Sequence, residues 1–334
     1  MQPPYLLFLG DSTDVADAKT ASGIRQWRGE LCAAQYRLPG GTVDLNLPQV
    51  APEAAKALGI KTMILGIAND GGFIAENWIH SIVAALEHGL DVASGLHQTL
   101  ASVPAIAAAA ARTGRALIEV RQPPNDFKTA TGAKRSGRRL LTVGTDCAVG
   151  KKYTALAMEK GMRARGMNAD FRATGQTGIF ISGRGVAIDS VVADFCAGAA
   201  EWLSPANQAD HWDVIEGQGS LFHPAYAGVT LGLIHGSQPD AMVLCHDARR
   251  NTLMGYESFP VPSYQRCIDT YVAAARLTNA KARVIGISLN TSHLDDAAAR
   301  ALIAQTGAQT GLPCSDPIRF GVDPIVQYLL ENTH

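Results

Sequence analysis

The chain lacks a charge excess of either sign. Its 29 Lys and Arg residues face 30 Asp and Glu residues, a net charge of −1. Such a balance supplies no field for non-specific nucleic-acid or anionic-membrane binding, so neither is an expected partner. It also lacks paired cysteine spacing. Cys32, Cys147, Cys196, Cys245, Cys267 and Cys314 are scattered, with no C-x-x-C and no Cys/His ligand spacing, so reduced thiols and no bound metal are expected. No apolar run approaches about 18 residues, and no charged-then-apolar leader opens the chain; a soluble, cytoplasmic protein is the expectation. A full G-x-G-x-x-G after the first strand-like run is missing too, which disfavours classical NAD binding there. What is present is apolar material: 47% hydrophobic and 18% charged over 334 residues. That excludes disorder and accommodates two domains.

The most informative stretch is Leu141-Thr-Val-Gly144-Thr145-Asp146-Cys147-Ala148-Val149-Gly150-Lys151-Lys152-Tyr153-Thr154. An apolar run ends in a glycine-bearing turn, and Gly150-Lys151 opens helical spacing through Ala155, Leu156, Met158 and Met162. Strand, phosphate loop and helix are the expected order. A helix N-terminus offers unpaired N–H groups and positive dipole character, and the lysine adds a point charge. Two departures from G-x-x-x-x-G-K-[ST] matter. Thr145 holds the first-glycine position, and Lys152 holds the position of the hydroxyl that would bind Mg²⁺. A charged lysine ligates no metal, so γ-phosphate chemistry loses a standard part, although Thr154 offers a substitute hydroxyl. Two adjacent cations suit a pyrophosphate carrying further negative charge, such as the 3′-phosphorylated ADP of coenzyme A.

Before this loop, strand and helix patterns alternate. Tyr5 to Leu9, Thr62 to Ile67, Gly89 to Ala93 and Ala116 to Val120 read as buried parallel strands; a helix start at Ser22 to Arg28 and helices through Ile79 to Leu86 and Val103 to Arg112 separate them. Alternation predicts a parallel, three-layer α/β/α domain over residues 1–122. Ligands of such sheets bind beyond the carboxyl ends of the strands, which places Asp11, Asn69, Asp70 and His97 along one edge. Residues 123–138, with Pro123-Pro124, Gly132 and Gly137, read as a linker whose Lys134, Arg135 and Arg138, with Arg139 just beyond, are candidates to fringe the phosphate site.

A second α/β/α domain is expected over 139–334. Asn168 to Ala173 reads as a strand, and Thr174-Gly175-Gln176-Thr177-Gly178 as a loop at its end with N–H and amide donors. Ile188 to Leu203 has helical periodicity. Trp212 to Ile215 is a buried strand that ends in Glu216-Gly217-Gln218-Gly219-Ser220, with His223 just beyond. Strands at Asp240 to Cys245 and Arg283 to Ser288 lead to Arg249, Arg250 and Asn290, and Asp323-Pro324 starts a closing helix.

The Gly-Thr-Asp opening before Gly-Lys, and the Glu-Gly-x-Gly segment at Glu216, resemble dethiobiotin synthetase and its relatives. In that group the corresponding carboxylate faces the nucleotide phosphates and metal, and the loop after the last of these strands contacts the base, which makes Asn290 a candidate. Taken end to end, the motifs Gly144 to Lys152, Thr174 to Gly178, Glu216 to Ser220 and His246-Asp-Ala-Arg249 resemble a family long catalogued as a domain of unknown function. That resemblance implies a Rossmann-like amino-terminal domain and a P-loop NTPase-like carboxy-terminal domain. Members have been assigned as D-glutamate N-acetyltransferases, which implies acetyl-CoA as co-substrate and an amino acid as acceptor.

Under that implied activity the acceptor ammonium must lose a proton before it attacks a thioester. Glu216 or His223 would take it, with Asp146 and Asp11 behind them. Oxyanion donors are sought among the N–H groups of Gly217 to Gly219 or Gly175 to Gly178. Arg172, Arg249, Arg25 and Arg28, with Gln176, Thr177, Gly178 and Gln218, are candidates for holding the substrate. Residues Gly144 to Thr154 and Asn290 would hold the donor. Cys147, near positive charge, is set aside as a nucleophile because it would lie under the pyrophosphate, far from the thioester. The alternative is a Mg-ATP ligase or kinase of dethiobiotin-synthetase type, with Asp146, Thr154 and Glu216 around Mg²⁺; a non-catalytic nucleotide sensor is the third reading. A homodimer or higher homo-oligomer is expected.

Overall fold

The computed structural model describes residues 1–332 apart from Asp70 and Asn125; the edge position expected for Asp70 therefore lies outside the described residues. The chain forms two compact units, 1–124 with 176–187, and 125–175 with 188–334.

The first unit begins with β1 (Tyr5–Gly10), α1 (Lys19–Trp27), β2 (Cys32–Arg37), α2 (Pro52–Ala55) and β3 (Thr62–Leu65). It continues through α3 (Glu76–Glu87), β4 (Asp91–Ser94), α4 (Pro104–Thr113) and β5 (Leu117–Glu119). All five strands are parallel in the order β2-β1-β3-β4-β5. Parallel sheets need both faces covered, and the continuous apolar runs of β1, β3 and β4 meet that need. Leu6, Phe8, Met63, Leu65 and Val92 pack with Trp78, Ile82, Leu86 and Ile106 in one core. Strand β2 escapes an apolar-run reading because it contains Gln35. That side chain is buried, its Nε2 donating to Asp44 Oδ1 at 2.9 Å and its Oε1 accepting from Leu45 N at 2.8 Å. At the carboxyl edge Asp11 accepts from Trp78 Nε1 (2.9 Å) and Asn77 Nδ2 (3.0 Å), and the Trp78 bond foremost holds its carboxyl below the usual range. Asn69 donates to the Phe73 carbonyl, and His97 is exposed.

The second unit runs β6 (Arg138–Gly144), α5 (Lys151–Ala164) and β7 (Ala169–Arg172). Helix α6 (Gln176–Ser182) follows in sequence, then α7 (Cys196–Leu203), β8 (Trp212–Ile215), α8 (Ala227–Ser237) and β9 (Ala241–Asp247). A hairpin of β10 (Thr252–Leu253) and β11 (Tyr256–Pro260) precedes α9 (Tyr264–Arg276), β12 (Arg283–Asn290), α10 (Asp296–Thr310), β13 (Cys314–Ser315) and α11 (Asp323–Glu331). The main sheet is parallel, ordered β13-β12-β9-β6-β8-β7. Strand β6 sits at its centre, and chain order reverses around it, so the loop after β6 lies where such sheets bind ligands.

Three features differ from the sequence reading. Helix α6 is counted with the first unit, where Thr177 Oγ1 lies 3.2 Å from Thr20 Oγ1 and Arg28 Nε donates to the Ile181 carbonyl at 3.1 Å. Only Cys196–Leu203 of the 188–203 stretch is α-helical; two 3₁₀ turns precede it, and the β-branched pair Val191-Val192 between them disfavours α-helix. The division falls at Pro124, and the rest of the expected linker goes with the second unit. There Arg139 is fully buried and donates to the carbonyls of Arg135, Ser136, Gly137 and Pro205. Arg135 donates to Ser204 O (2.9 Å) and Gly236 O (2.7 Å). Arg138 and Arg139 begin β6, about 20 Å from its far end at ~3.3 Å per residue, so they do not fringe the phosphate loop. Among the described residues no helix is long and apolar enough to cross a membrane.

Candidate active site

The phosphate loop is built by a strand that stops and a helix that starts. Gly150, at φ +98°, turns the chain into α5, and Ala148 also has a positive φ of +54°. Thr145 N donates to Cys245 O at 3.0 Å, and its hydroxyl lies 2.9 Å from His246 Nδ1, which ties the loop to β9. The Gly144 carbonyl accepts from Tyr271 OH (2.7 Å) and Ser220 Oγ (2.9 Å). Val149 is buried, and Ala148 is exposed at the loop's tip.

Lys151 is buried, and its Nζ donates to the Asp146 carbonyl at 2.8 Å. Burial pushes its pKa below the ordinary lysine value, with Cys147, Cys245, Asp146 and Glu216 opposing. An anion in the loop offers that ammonium the charge it lacks. Lys152 stands over the Tyr153 ring at 4.5 Å. Thr154, the substitute metal hydroxyl, is engaged within the fold: its Oγ1 donates to Gly150 O (3.1 Å) and lies 2.7 Å from Ser288 Oγ of β12.

Glu216 directly follows β8 on the phosphate-loop edge. Its Oε2 accepts from Thr174 N at 2.9 Å and Gly175 N at 3.1 Å. The carboxyl is buried, and burial raises its pKa above the ordinary value; Lys152, the two N–H bonds and Lys151 act against that rise. The neighbouring Tyr153 phenol is pushed up by burial and by the Glu216 charge. A carboxylate with raised proton affinity beside two ammonium groups is suited to taking and returning a proton.

Several of the expected site residues have partners within the fold. The Gly217 N–H donates to Thr142 Oγ1 at 2.9 Å and the Gly175 N–H to Glu216, so neither is available to an oxyanion. Gly217 is instead required by close approach, since a Cβ there would lie 1.7 Å from the Thr142 carbonyl oxygen. Gln218 Nε2 donates to Thr174 Oγ1 at 3.3 Å, and Gly219 turns the chain at φ +65°. Gln176, Thr177 and Gly178 form the first turn of α6 rather than an open loop. Arg172 is committed to the buried Asp213 at 2.7 Å, and Arg249 grips Asp247 through Nε (3.0 Å) and Nη2 (2.7 Å). Asn290 also donates to Asp247. In the first unit Arg25 donates to the Leu45 carbonyl at 3.4 Å.

His223 has both ring nitrogens engaged. Nδ1 accepts from Ala225 N (3.2 Å), which leaves Nε2 to donate to Met254 O (3.0 Å), so it is not poised as a base. Asp146 is fully buried: Oδ1 accepts from Cys147 N at 2.7 Å, Oδ2 from Met254 N at 2.8 Å and from Arg250 Nη1 at 3.3 Å. Burial raises the Cys147 thiol pKa despite the neighbouring Lys151, the reverse of activation. Asp146, Cys147 and His223 do place ligand-type atoms within 4.8 Å of one another, with the Arg250 cation already paired to the carboxylate. The sequence reading missed the hairpin's part in this edge: Met254 contributes through its backbone, which leaves no side-chain signal.

With this geometry in view, comparison with known proteins is specific. Residues 127–326 match the P-loop domain and residues 37–123 the Rossmann-like domain of a family described as a domain of unknown function, DUF1611. The chain belongs to the DUF1611 family. A crystal structure of a DUF1611 member from Anabaena variabilis is 35% identical, with a TM-score of 0.90 over 99% of this chain and 100% of that one. A protein of Tritonibacter scottomollicae is 49% identical over 329 residues, 98% of this chain and 99% of the relative, and one of Pseudoalteromonas sp. is 48% identical over the same shares. Both relatives are named D-glutamate N-acetyltransferase.

Proposed function

We propose that this protein is an N-acetyltransferase that moves the acetyl group of acetyl-CoA to the amine of D-glutamate, giving N-acetyl-D-glutamate. The names of the two full-length relatives support the activity and the acceptor. The observation that carries the donor is the first turn of α5, where Lys151 and Lys152 stand in place of lysine and a metal-binding hydroxyl, while the Thr154 hydroxyl is turned toward Ser288. A helix N-terminus with two ammonium groups holds a diphosphate through charge and N–H donors without cleaving it.

Glu216 takes a proton from the acceptor's ammonium group. The freed amine attacks the thioester carbonyl; the C–N bond forms, the C–S bond breaks, the CoA thiolate leaves with the proton that Glu216 returns, and the second proton of the attacking nitrogen passes to solvent, so that each turnover gives the amide, CoA thiol and one proton. Lys152 and Lys151 keep the carboxylate available as a base while burial keeps it from being a weak one. The reaction passes directly from donor to acceptor, in keeping with a Cys147 thiol held protonated by burial.

The test combines purified protein, acetyl-CoA and a panel of D- and L-amino acids without added metal, and follows free CoA thiol. Thiol release that depends on D-glutamate and falls sharply in Lys151→Ala supports the reading. No release with any amine, together with Mg²⁺-dependent ATP consumption, overturns it in favour of a ligase or kinase.

A further inference from the structure

The acetyl-transfer reading leaves the acceptor without a seat, and the hairpin beyond β9 supplies one. Strand β9 lies beside β6, so the chain leaving Asp247 emerges next to the phosphate loop. Residues 249–258 then curl around an open hollow. The two arginines that enter this stretch differ in what they hold. Arg249 is bound twice by Asp247. Arg250, among the described residues, makes one side-chain hydrogen bond, the 3.3 Å contact from Nη1 to Asp146 Oδ2, and its guanidinium keeps further N–H groups for a ligand.

That contact is part of a larger tie. Asp146 Oδ2 also accepts from Met254 N, and the Met254 carbonyl accepts from His223 Nε2. The His223 ring stacks on Tyr226 at 4.7 Å and meets Tyr256 edge-on at 5.0 Å. Strands β10 and β11 span two and five residues, and β11 is largely exposed. A ribbon of that size does not hold itself in place. The buried Asp146 carboxylate in the donor's own loop and the His223 ring are what tie it down.

We propose that the hollow lined by residues 249–258 is the acceptor subsite, in which Arg250 pairs with a carboxylate of the amino-acid substrate, and that Asp146 is the positioning residue that fixes Arg250 and the hairpin beside the phosphate loop. A planar guanidinium matches a carboxylate bidentately. Three donors occupy the Asp146 oxygens, so its part is orientation and not proton transfer. The proposal rests on the acetyl-transfer reading and assigns the second substrate to a place within it.

Steady-state kinetics with D-glutamate and acetyl-CoA test it. In Arg250→Gln the KM for D-glutamate rises about 10- to 100-fold, the range of a lost charge-assisted hydrogen bond, while the KM for acetyl-CoA stays within about threefold. Arg250→Lys recovers part of the loss. Asp146→Asn raises the KM for D-glutamate in the same way and leaves the pH profile of kcat unchanged; a fall in kcat of about 10²- to 10⁴-fold with loss of a pH limb would instead make Asp146 the base. A rise in the acetyl-CoA KM of Arg250→Gln that disappears with acetyl-3′-dephospho-CoA would assign Arg250 to the 3′-phosphate and overturn the subsite. Hydrogen exchange needs no turnover: amides of residues 252–260 exchange faster in Asp146→Asn than in the parent while those of α5 do not, and equal exchange in the hairpin refutes the positioning role. Should the parent protein transfer no acetyl group, the function above fails, yet calorimetric binding of D-glutamate, weakened in Arg250→Gln, still decides the subsite.

Discussion

Glu216→Gln is expected to separate activity from stability. Gln keeps the shape of the side chain, and its carbonyl oxygen can accept the Thr174 and Gly175 N–H bonds that Oε2 now accepts at 2.9 and 3.1 Å. What it removes is a buried negative charge. As the proton acceptor, the carboxylate is worth about 10²- to 10⁴-fold in kcat, so the amide variant loses that factor with its substrate KM values little changed. Stability moves the other way. Burial raises the folded-state pKa of Glu216 above its ordinary value of 4.5, so between the unfolded and folded values the native protein holds more protons than the unfolded chain. Its contribution is therefore full below 4.5 and is lost as pH rises through the folded value, by about 1.4 kcal/mol for each tenfold difference in proton affinity between the two states. The amide has no such dependence. Melting measured from pH 4 to pH 9 should show the variant gaining on the parent as pH rises, then holding a constant lead. Activity within threefold of the parent would remove Glu216 from the chemistry. A variant that loses ground with rising pH would mean that the ionised carboxylate stabilises the fold, against the burial argument.

Three further substitutions probe the frame around that carboxylate. Gly217→Ala places a Cβ 1.7 Å from the Thr142 carbonyl oxygen, so it should exceed the ~1–3 kcal/mol of ordinary overpacking and lower the denaturant midpoint sharply; a near-parental midpoint would refute the close approach of β6 and β8. Arg172→Gln leaves Asp213, 1% exposed on its side chain, without its nearest cation, and should cost about 3–5 kcal/mol of stability with kinetic constants little altered, whereas a selective rise in substrate KM would return Arg172 to the binding site. Lys152→Ser restores the hydroxyl of a metal-binding loop and should raise the acetyl-CoA KM about tenfold in metal-free buffer; an unchanged KM would remove Lys152 from donor binding.

Much of the fold is legible in the chain because parallel strands buried on both faces are written as plain apolar runs. Tyr5 to Leu9, Leu140 to Val143 and Trp212 to Ile215 all became strands for that reason. The phosphate loop was equally visible, since a glycine turn between such a run and a helical pattern has few other uses. Position was legible where commitment was not. Arg172 and Arg249 are on or beside the ligand edge, but each neutralises an aspartate, and a sequence does not say which of two nearby opposite charges will meet. Asp213, within an apolar strand, was the available signal, because a buried carboxylate requires a cation. The donors supplied by Met254 N, Thr174 N and Gly175 N were beyond reach, because backbone groups carry no residue-specific mark. The start of helix α6 reads as loop because Thr174-Gly-Gln-Thr-Gly178 is rich in turn formers, and the residues that bond to the helix, Thr20 and Arg28, lie about 150 positions away.

That helix also sets an order of events in time. Residues 1–124 leave the ribosome without the segment 176–187 that completes their unit, and the intervening residues take about 3–10 s to synthesise at ~5–20 residues per second. Through that interval Thr20, which is 1% exposed in the finished protein, has no hydroxyl partner from α6. The first unit therefore becomes complete only after residues 125–175 of the second have been made. Cutting the gene at Pro124 would yield a fragment that begins like a domain and lacks the helix that closes it.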